Sequence, residues 1–198
     1  MADSDTESAA LILGLGNPGE RYRETRHNVG FKVLDVLSDL LDGGPRRIEC
    51  NSLIAAAAAE SGLYLAWPQT YMNRSGYAAR CLAESLEVEE EKLLVVYDDV
   101  TLPNCRLRIR RAGGAGGHRG MESIIHNLRS EDVSRLRVGV GPEEPEARQS
   151  DDLSEYVLSP FSARDSETVK TMTARAAEAC LCWWRVGVDT AMNRFNVA

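Results

Sequence analysis

A run of five apolar residues, LLVVY at positions 93–97, is the feature that most constrains the fold. The run lies between charged segments, and its uninterrupted apolar character is typical of a strand that is buried on both faces. Such strands occur in parallel sheets whose two faces are covered by helices. The run therefore predicts a central strand of an α/β domain.

Other apolar patterns along the chain alternate between the strand period and the helix period. We therefore expect an α/β fold, a single domain with a mixed, mostly parallel central sheet flanked by helices on both faces. The 198 residues suit one domain, which we place at 9–198 after a flexible tail at 1–8. The acidic segment at 143–152 predicts a surface loop or lid. Further strands are predicted at 11–15, 63–67, 106–110 and 136–140, and helices at 31–41, 75–86, 121–128 and 162–186.

The first strand runs into a glycine-rich loop, GLGNPG at positions 14–19, which admits three interpretations. Its G-x-G-x-x-G spacing matches a dinucleotide-binding turn, but that turn needs a helix to begin at the last glycine. The charged stretch at 20–26 has no apolar helical face. A second interpretation is a purely structural tight turn, because glycine permits backbone conformations closed to other residues. The third makes Asn17 and His27 the polar walls of a hydrolytic site.

Polar side chains follow three of the predicted strands. Asn17 follows the first strand, Asn73 lies in the loop after the strand at 63–67, and Asp98 comes directly after the strand at 93–97. Because ligands bind beyond the carboxyl ends of the strands in such sheets, we expect these side chains to meet near His27. A histidine base oriented by Asp98, with two amides to hold a carbonyl, could activate water. Taken singly, each residue also has an ordinary role in a turn or at a strand end.

The charge of the chain is unevenly distributed. The formal net charge of −7 argues against indiscriminate binding to nucleic acid, yet residues 106–111 contain four arginines and no acid. In a strand, the side chains of Arg106, Arg108 and Arg110 would point to the same face, with neighbours about 6.6 Å apart. This arginine row is either a solvent-exposed face of the sheet or a surface that binds successive phosphates. The glycine-rich segment GGAGGHRG at 113–120 favours the second interpretation, because its backbone amides can also receive an anion.

The remaining composition limits chemistry and location. Five cysteines without a repeated spacing suit a reducing compartment, and we expect all five to be small packing residues. The three histidines form no metal-binding motif, and no G-x-S-x-G nucleophile is present. Any hydrolysis would use activated water or a nucleophile without a recognisable motif. No apolar run approaches the length of a membrane span, and the acidic N-terminus does not resemble a signal or transit peptide. We therefore expect a cytoplasmic protein.

Five sequence blocks, taken together and in order, resemble the bacterial-type peptidyl-tRNA hydrolase family. The resemblance runs from Leu11 to Phe195, which is nearly the whole chain. Several independent blocks in a fixed order are far more specific than a single glycine pattern. The blocks are GLGNPGERYRETRHNVGF at 14–31, PQTYMNRSG at 68–76, YDDVTLP at 97–103, GGAGGHRGMESI at 113–124 and RLRVGVG at 135–141.

This resemblance implies hydrolysis of the ester that joins a peptide's C-terminus to the 3′-terminal ribose of tRNA, with release of free tRNA and peptide. It implies a monomer that acts on peptidyl-tRNA in translation, without a metal, a cofactor or a membrane. By motif position, His27 resembles the catalytic base and Asp98 its partner. The resemblance implies substrate contacts for Asn17, Tyr22, Tyr71, Asn73 and Arg119, and contacts to tRNA phosphates for Arg108, Arg110 and Arg137.

Two positions depart from the family pattern. Where the family usually has G-G-H-N-G, this chain has Arg119 in place of the asparagine, and Ala115 replaces a frequent histidine or serine. Arginine accepts no hydrogen bond and carries a fixed charge, so the contact of this loop with the substrate is altered.

Two other functions stay open. A non-catalytic RNA-binding relative would not need His27 with Asp98, and a generic esterase would not need the arginine row.

Overall fold

The computed structural model describes residues 9–142 and 153–197, and its centre is a seven-stranded sheet. The strands are β1 (Ala10–Gly14), β2 (Arg47–Glu49), β3 (Ser52–Ala56), β4 (Leu63–Pro68), β5 (Leu93–Pro103), β6 (Leu107–Arg110) and β7 (Ser134–Gly141). They lie in the order β2-β3-β4-β1-β5-β7-β6. The four central strands β4, β1, β5 and β7 are mutually parallel, whereas β3 and β6 run in the opposite direction. The predicted mixed, mostly parallel sheet is confirmed.

Helices cover both faces of this sheet. The helices are α1 (Val29–Leu40), α2 (Ser75–Ser85), α3 (Arg119–Leu128), α4 (Leu153–Leu158), α5 (Ser166–Val186) and α6 (Val188–Phe195). Short 3-10 helices lie at Glu20–Tyr22, Arg26–Asn28, Met72–Arg74, Glu90–Lys92 and Ala163–Asp165.

Strand β1 shows how the sheet separates two apolar layers. Its side chains alternate, so that Ile12 packs in the layer formed with α1, α5 and α6, while Leu11 and Leu13 pack in the layer formed with α2 and α3. All five residues of β1 are buried. The alternation follows from the two-residue period of a strand. Burial on both faces agrees with the predicted single α/β domain covered by helices on two sides.

The glycine-rich loop after β1 does not form a dinucleotide-binding turn. It leads into the 3-10 helix Glu20–Tyr22, and α1 begins only at Val29. Its first glycine instead serves close packing, because a Cβ at Gly14 would lie 2.6 Å from the carbonyl oxygen of Gly30. A Cβ at Gly30 would in turn lie 2.5 Å from the backbone nitrogen of Leu15. The dinucleotide interpretation is wrong, and these two glycines let α1 pack against β1.

Several element boundaries differ from the sequence predictions. β5 continues to Pro103 because it pairs with β7, so Asp98 lies within the strand rather than after it. β6 begins at Leu107, which leaves Arg106 outside the strand. The β2–β3 hairpin was not predicted, since its turn residues Cys50 (φ 49°) and Asn51 (φ 52°) are not glycines. The short helices α4 and α6 were not predicted either.

The prediction that all five cysteines are separate packing residues is wrong. Cys50 in the β2–β3 turn forms a disulfide with Cys81 of α2. The bond ties the edge hairpin to the helix and closes a 31-residue separation that contains β3 and β4. Cys105, Cys180 and Cys182 are not disulfide-bonded, and Cys180 and Cys182 are buried in α5. Cysteine content therefore no longer supports a reducing compartment.

Two predicted segments lie outside the described residues: the tail at 1–8 and the loop or lid at 143–152. Within the part of the chain that the structure describes, no helix is both long and apolar enough to span a membrane.

Candidate active site

A cleft of about 920 Å³ opens where β1, β4 and β5 present their polar residues. Asn17 enters it from the loop after β1, Asn73 from the segment after β4, and Asp98 from β5 itself. The glycine loop, defined here as residues 113–118, forms a second wall, and α4 forms a third. The parallel arrangement of the central strands therefore brings together residues that are far apart in the sequence.

His27 contacts Asp98 through a short hydrogen bond. Its Nδ1 atom lies 2.8 Å from Oδ1 of Asp98, and the two side chains are 13% and 2% exposed. The 3-10 helix that carries His27 is anchored by Arg26, whose guanidinium donates to Ser159 Oγ at 2.6 Å and to Pro160 O at 2.8 Å. The imidazole is thus held between β5 and the segment that follows α4.

A second histidine, His118, shares the same carboxylate. Its Nε2 lies 3.0 Å from Asp98 Oδ1, and its Nδ1 accepts a hydrogen bond from the backbone N–H of Met121 at 3.2 Å. Because Nδ1 is the acceptor, Nε2 must carry the proton and donate it to Asp98. His118 also caps the N-terminus of α3. The backbone of α3 therefore sets the tautomer of this histidine.

Asp98 accepts hydrogen bonds from both imidazoles, and this determines its charge. Burial by itself raises the pKa of the Asp98 carboxyl, but the charges and hydrogen bonds of His27 and His118 outweigh burial. The net pKa lies well below the ordinary value. An ionised carboxylate only accepts, so His27 Nδ1 carries a proton. In the neutral imidazole the lone pair then lies on Nε2, which is the ring nitrogen that can act as a base.

The amide of Asn17 is held in one orientation. Its backbone N–H donates to Asn28 Oδ1 and its backbone C=O accepts from Asn28 Nδ2, both at 2.9 Å. Its side-chain Oδ1 accepts from the backbone N–H of Met72 at 2.9 Å. Since Oδ1 is occupied, Nδ2 is the free donor, with no partner among residues 9–142 and 153–197. Asn28, which sequence reasoning missed, is the residue that fixes the loop.

The other predicted substrate residues also line the cleft. Tyr22 and Asn73 lie in 3-10 helices, and Tyr71 directly precedes the second of these. Tyr71 is 60% exposed, so its ring is available for contact with a ligand. Arg119 is exposed at the start of α3, and it forms no ion pair with any described residue. Its charge is therefore unpaired at the cleft.

The three predicted phosphate contacts are not equivalent. Arg110 and Arg137 line the cleft, and the Nε of Arg137 forms an ion pair with Asp99. The guanidinium of Arg108 instead lies 3.5 Å from the backbone oxygen of Asn196, which follows α6. The structure therefore does not bring Arg108 to the cleft.

Residues 11–198 match the family model described as peptidyl-tRNA hydrolase. The chain belongs to the peptidyl-tRNA hydrolase family. A peptidyl-tRNA hydrolase of Desulforudis audaxviator is 43% identical over 187 residues, which cover 94% of this chain and 92% of the relative. One of Synechococcus sp. is 43% identical over 195 residues, covering 97% and 85%.

Solved peptidyl-tRNA hydrolases share the fold. The crystal structure of the peptidyl-tRNA hydrolase from Acinetobacter baumannii superposes with a TM-score of 0.84 at 28% sequence identity. The superposition covers 98% of this chain and 97% of that one. The resemblance that was inferred from five sequence blocks is thus confirmed at the level of family and fold.

Besides Asn28, sequence reasoning missed two further residues of this site. His118 was counted among the histidines but given no role, and its position carries no recognised N-cap signal, because N-cap residues are usually Ser, Thr, Asp or Asn. Arg135 appeared only as the first residue of the sequence block at 135–141 and was given no role, yet its buried side chain lines the cleft. No sequence pattern indicates that an arginine is buried, because this depends on which carbonyl groups surround it.

Proposed function

We propose that the protein hydrolyses the ester bond of peptidyl-tRNA and releases free tRNA and peptide. The observation that carries this proposal is the 2.8 Å hydrogen bond between His27 Nδ1 and Asp98 Oδ1 in the cleft, which engages Nδ1 and leaves Nε2 as the ring nitrogen that can accept a proton. His27 would remove a proton from water as the water attacks the ester carbonyl. Asp98 would stabilise the imidazolium that forms.

The leaving group and the oxyanion need separate support. The Nδ2 donor of Asn17 is oriented to stabilise the oxyanion, because Oδ1 is already occupied by Met72. The 3′-oxygen of the terminal ribose would then receive the proton held by His27. No covalent intermediate is required. Tyr22, Tyr71, Asn73 and Arg119 are proposed to contact the peptide and the 3′ end of the tRNA.

We propose that this chemistry proceeds without a metal. His27, Asp98 and His118 place possible ligand atoms within 4.8 Å of one another. His118, however, uses Nδ1 to accept from Met121, so its Nε2 carries a proton and has no lone pair for a metal. Metal-bound histidines usually donate through the other ring nitrogen, which is the opposite arrangement.

The proposed setting is translation in the cytoplasm, with the protein acting as a monomer. A non-catalytic RNA-binding role is not favoured, because an RNA-binding scaffold has no need of a base held by a buried carboxylate. A generic esterase would not need the three arginines Arg110, Arg119 and Arg137 at the cleft.

The function is tested by comparing two forms of tRNA with the purified protein. We expect release from tRNA that carries an N-blocked peptide and much slower release from aminoacyl-tRNA with a free amine. The free ammonium group is repelled by the arginines at the cleft, whereas the blocked amine is neutral. Release is measured by acid precipitation of labelled peptidyl-tRNA. Equal cleavage of both forms would favour a generic esterase, and cleavage of neither would refute the proposal.

The arginines at the cleft predict a defined dependence on salt. Replacing Arg110 or Arg137 with glutamine should weaken tRNA binding and reduce the slope of log Kd against log salt by about 0.7–0.9 for each phosphate that the variant no longer neutralises. Arg108→Gln is the matched comparison, because its guanidinium lies at Asn196. Binding is measured by fluorescence anisotropy with labelled tRNA from about 50 to about 200 mM salt. An unchanged slope for Arg110→Gln and Arg137→Gln would contradict the assignment.

A further inference from the structure

Arg135 is a buried arginine whose guanidinium donates hydrogen bonds to backbone carbonyls. Arg135 is 2% exposed, and its guanidinium forms no ion pair with a carboxylate among the described residues. Its Nε donates to Val133 O at 3.0 Å, and one terminal nitrogen donates to Glu131 O at 2.9 Å. The other terminal nitrogen donates to the carbonyls of Gly113 and Gly114 in the glycine loop, at 3.1 Å for Gly114.

The glycine loop has little else to hold it. A Cβ at Gly116 or Gly117 would meet nothing within 4 Å, so this part of the loop is not packed against the protein. Besides Arg135, its backbone is tied by Gly113 N to Glu131 O at 3.1 Å, by His118 N to Ala115 O at 3.0 Å and, at its end, by Glu122 N to His118 O at 2.9 Å. Glycines lose more backbone freedom on folding than other residues do. The loop therefore depends on a hydrogen-bonding partner beneath it.

Arg135 also sets which way the loop amides face. The described residues contain no cis peptide bond. In a trans peptide, the N–H points opposite to the C=O of the same plane. Because the carbonyls of Gly113 and Gly114 point at Arg135, the N–H groups of Gly114 and Ala115 point away from it. Neither N–H has a hydrogen-bond partner in the described part of the chain.

We propose that Arg135 is a positioning residue that fixes the glycine loop, so that His118 reaches Asp98 and the N–H groups of Gly114 and Ala115 face the substrate. Their ligand would be a carbonyl or phosphate oxygen of the peptidyl-tRNA 3′ end. The inference rests on the proposed function for its substrate, but the order of the loop stands on geometry alone. Arginine suits this task because its planar fork serves several carbonyls at once, whereas lysine offers a single ammonium group.

The test compares Arg135→Lys with Leu37→Ala in the full-length protein. The lysine variant keeps the positive charge and loses the fork. Leu37 lies fully buried in α1, in the apolar layer on the other face of the sheet, so its truncation lowers stability without touching the loop. Peptide release is measured together with hydrogen–deuterium exchange of residues 113–120, at a temperature at which both variants are folded. Arg135→Gln replaces Arg135→Lys if the latter does not fold.

For Arg135→Lys we expect faster exchange confined to residues 113–120 and a fall in kcat/KM of about 10- to 100-fold, because small displacements of catalytic groups are costly. For Leu37→Ala we expect near-normal kcat/KM and no selective change in the loop. Normal kcat/KM or unchanged loop exchange in Arg135→Lys would overturn the proposal, as would the same pattern in both variants. If the wild type releases no peptide, the proposed function fails, while the exchange experiment still tests the role of Arg135.

Discussion

Replacing His27 with alanine should lower kcat for peptide release by about 10²- to 10⁴-fold, the usual contribution of a general base. The reason is that Nε2 of His27 is the proposed base, since Nδ1 is engaged by the 2.8 Å hydrogen bond to Asp98. The fold should be retained, because the imidazole is partly exposed and packs in no apolar layer. The measurement is single-turnover peptide release, with circular dichroism as the check on folding.

His126→Ala is the matched control for this variant. His126 lies on the exposed surface of α3, outside the residues that line the cleft. We expect His126→Ala to release peptide at the wild-type rate. Near-normal kcat in His27→Ala, or an equal loss in His126→Ala, would show that His27 is not the base.

Replacing Asp98 with asparagine should also lower kcat by about 10²- to 10⁴-fold, because it removes the charge that stabilises the imidazolium formed when His27 takes a proton. Asp98 accepts from His27 and His118 through one oxygen, so its replacement affects both histidines. KM should change less than kcat. Steady-state kinetics across a range of pH separates the two parameters.

Asp99→Asn is the control, because Asp99 is the neighbouring acid and pairs with Arg137 instead. This variant should affect tRNA affinity more than kcat. A loss of kcat as large as that of Asp98→Asn would contradict the assigned roles.

The stability of the fold at acid pH offers a second readout for Asp98. The folded-state pKa of Asp98 is depressed, so its carboxylate stabilises the protein above the unfolded pKa of about 4 and this contribution disappears as the pH falls through the folded-state pKa. Asp98→Asn should lack this change in stability at acid pH.

Local sequence patterns predicted most of the fold. The continuous apolar run at 93–97 identified β5, and the order of strands and helices led to the mostly parallel sheet. The β2–β3 hairpin was missed because its pairing depends on the neighbouring strand β4 and its turn contains no glycine. The Cys50–Cys81 disulfide was missed for a related reason, since two cysteines reveal their pairing only when the hairpin is folded against α2.

The candidate site was predictable where a residue follows a strand. Asn17, Asn73 and Asp98 were placed at one end of the sheet from their positions after apolar runs, and the structure brings them into one cleft with His27. The structure brings only part of the predicted arginine row to the cleft. Alternation places Arg108 and Arg110 on one face, but packing of the segment after α6 brings Asn196 against Arg108, whereas Arg110 lines the cleft.

By itself, the sequence determined the α/β class, the family and the side chains available for chemistry, because strand and helix periods and ordered motifs are local properties. Tertiary structure decided how these side chains act. The N–H of Met121 sets the tautomer of His118, Asn28 and Met72 orient Asn17, and Arg135 holds the glycine loop. Each of these effects requires a hydrogen-bond partner at a defined distance and angle. Such partners come from other segments of the chain, and their positions exist only after the sheet and its helices have packed.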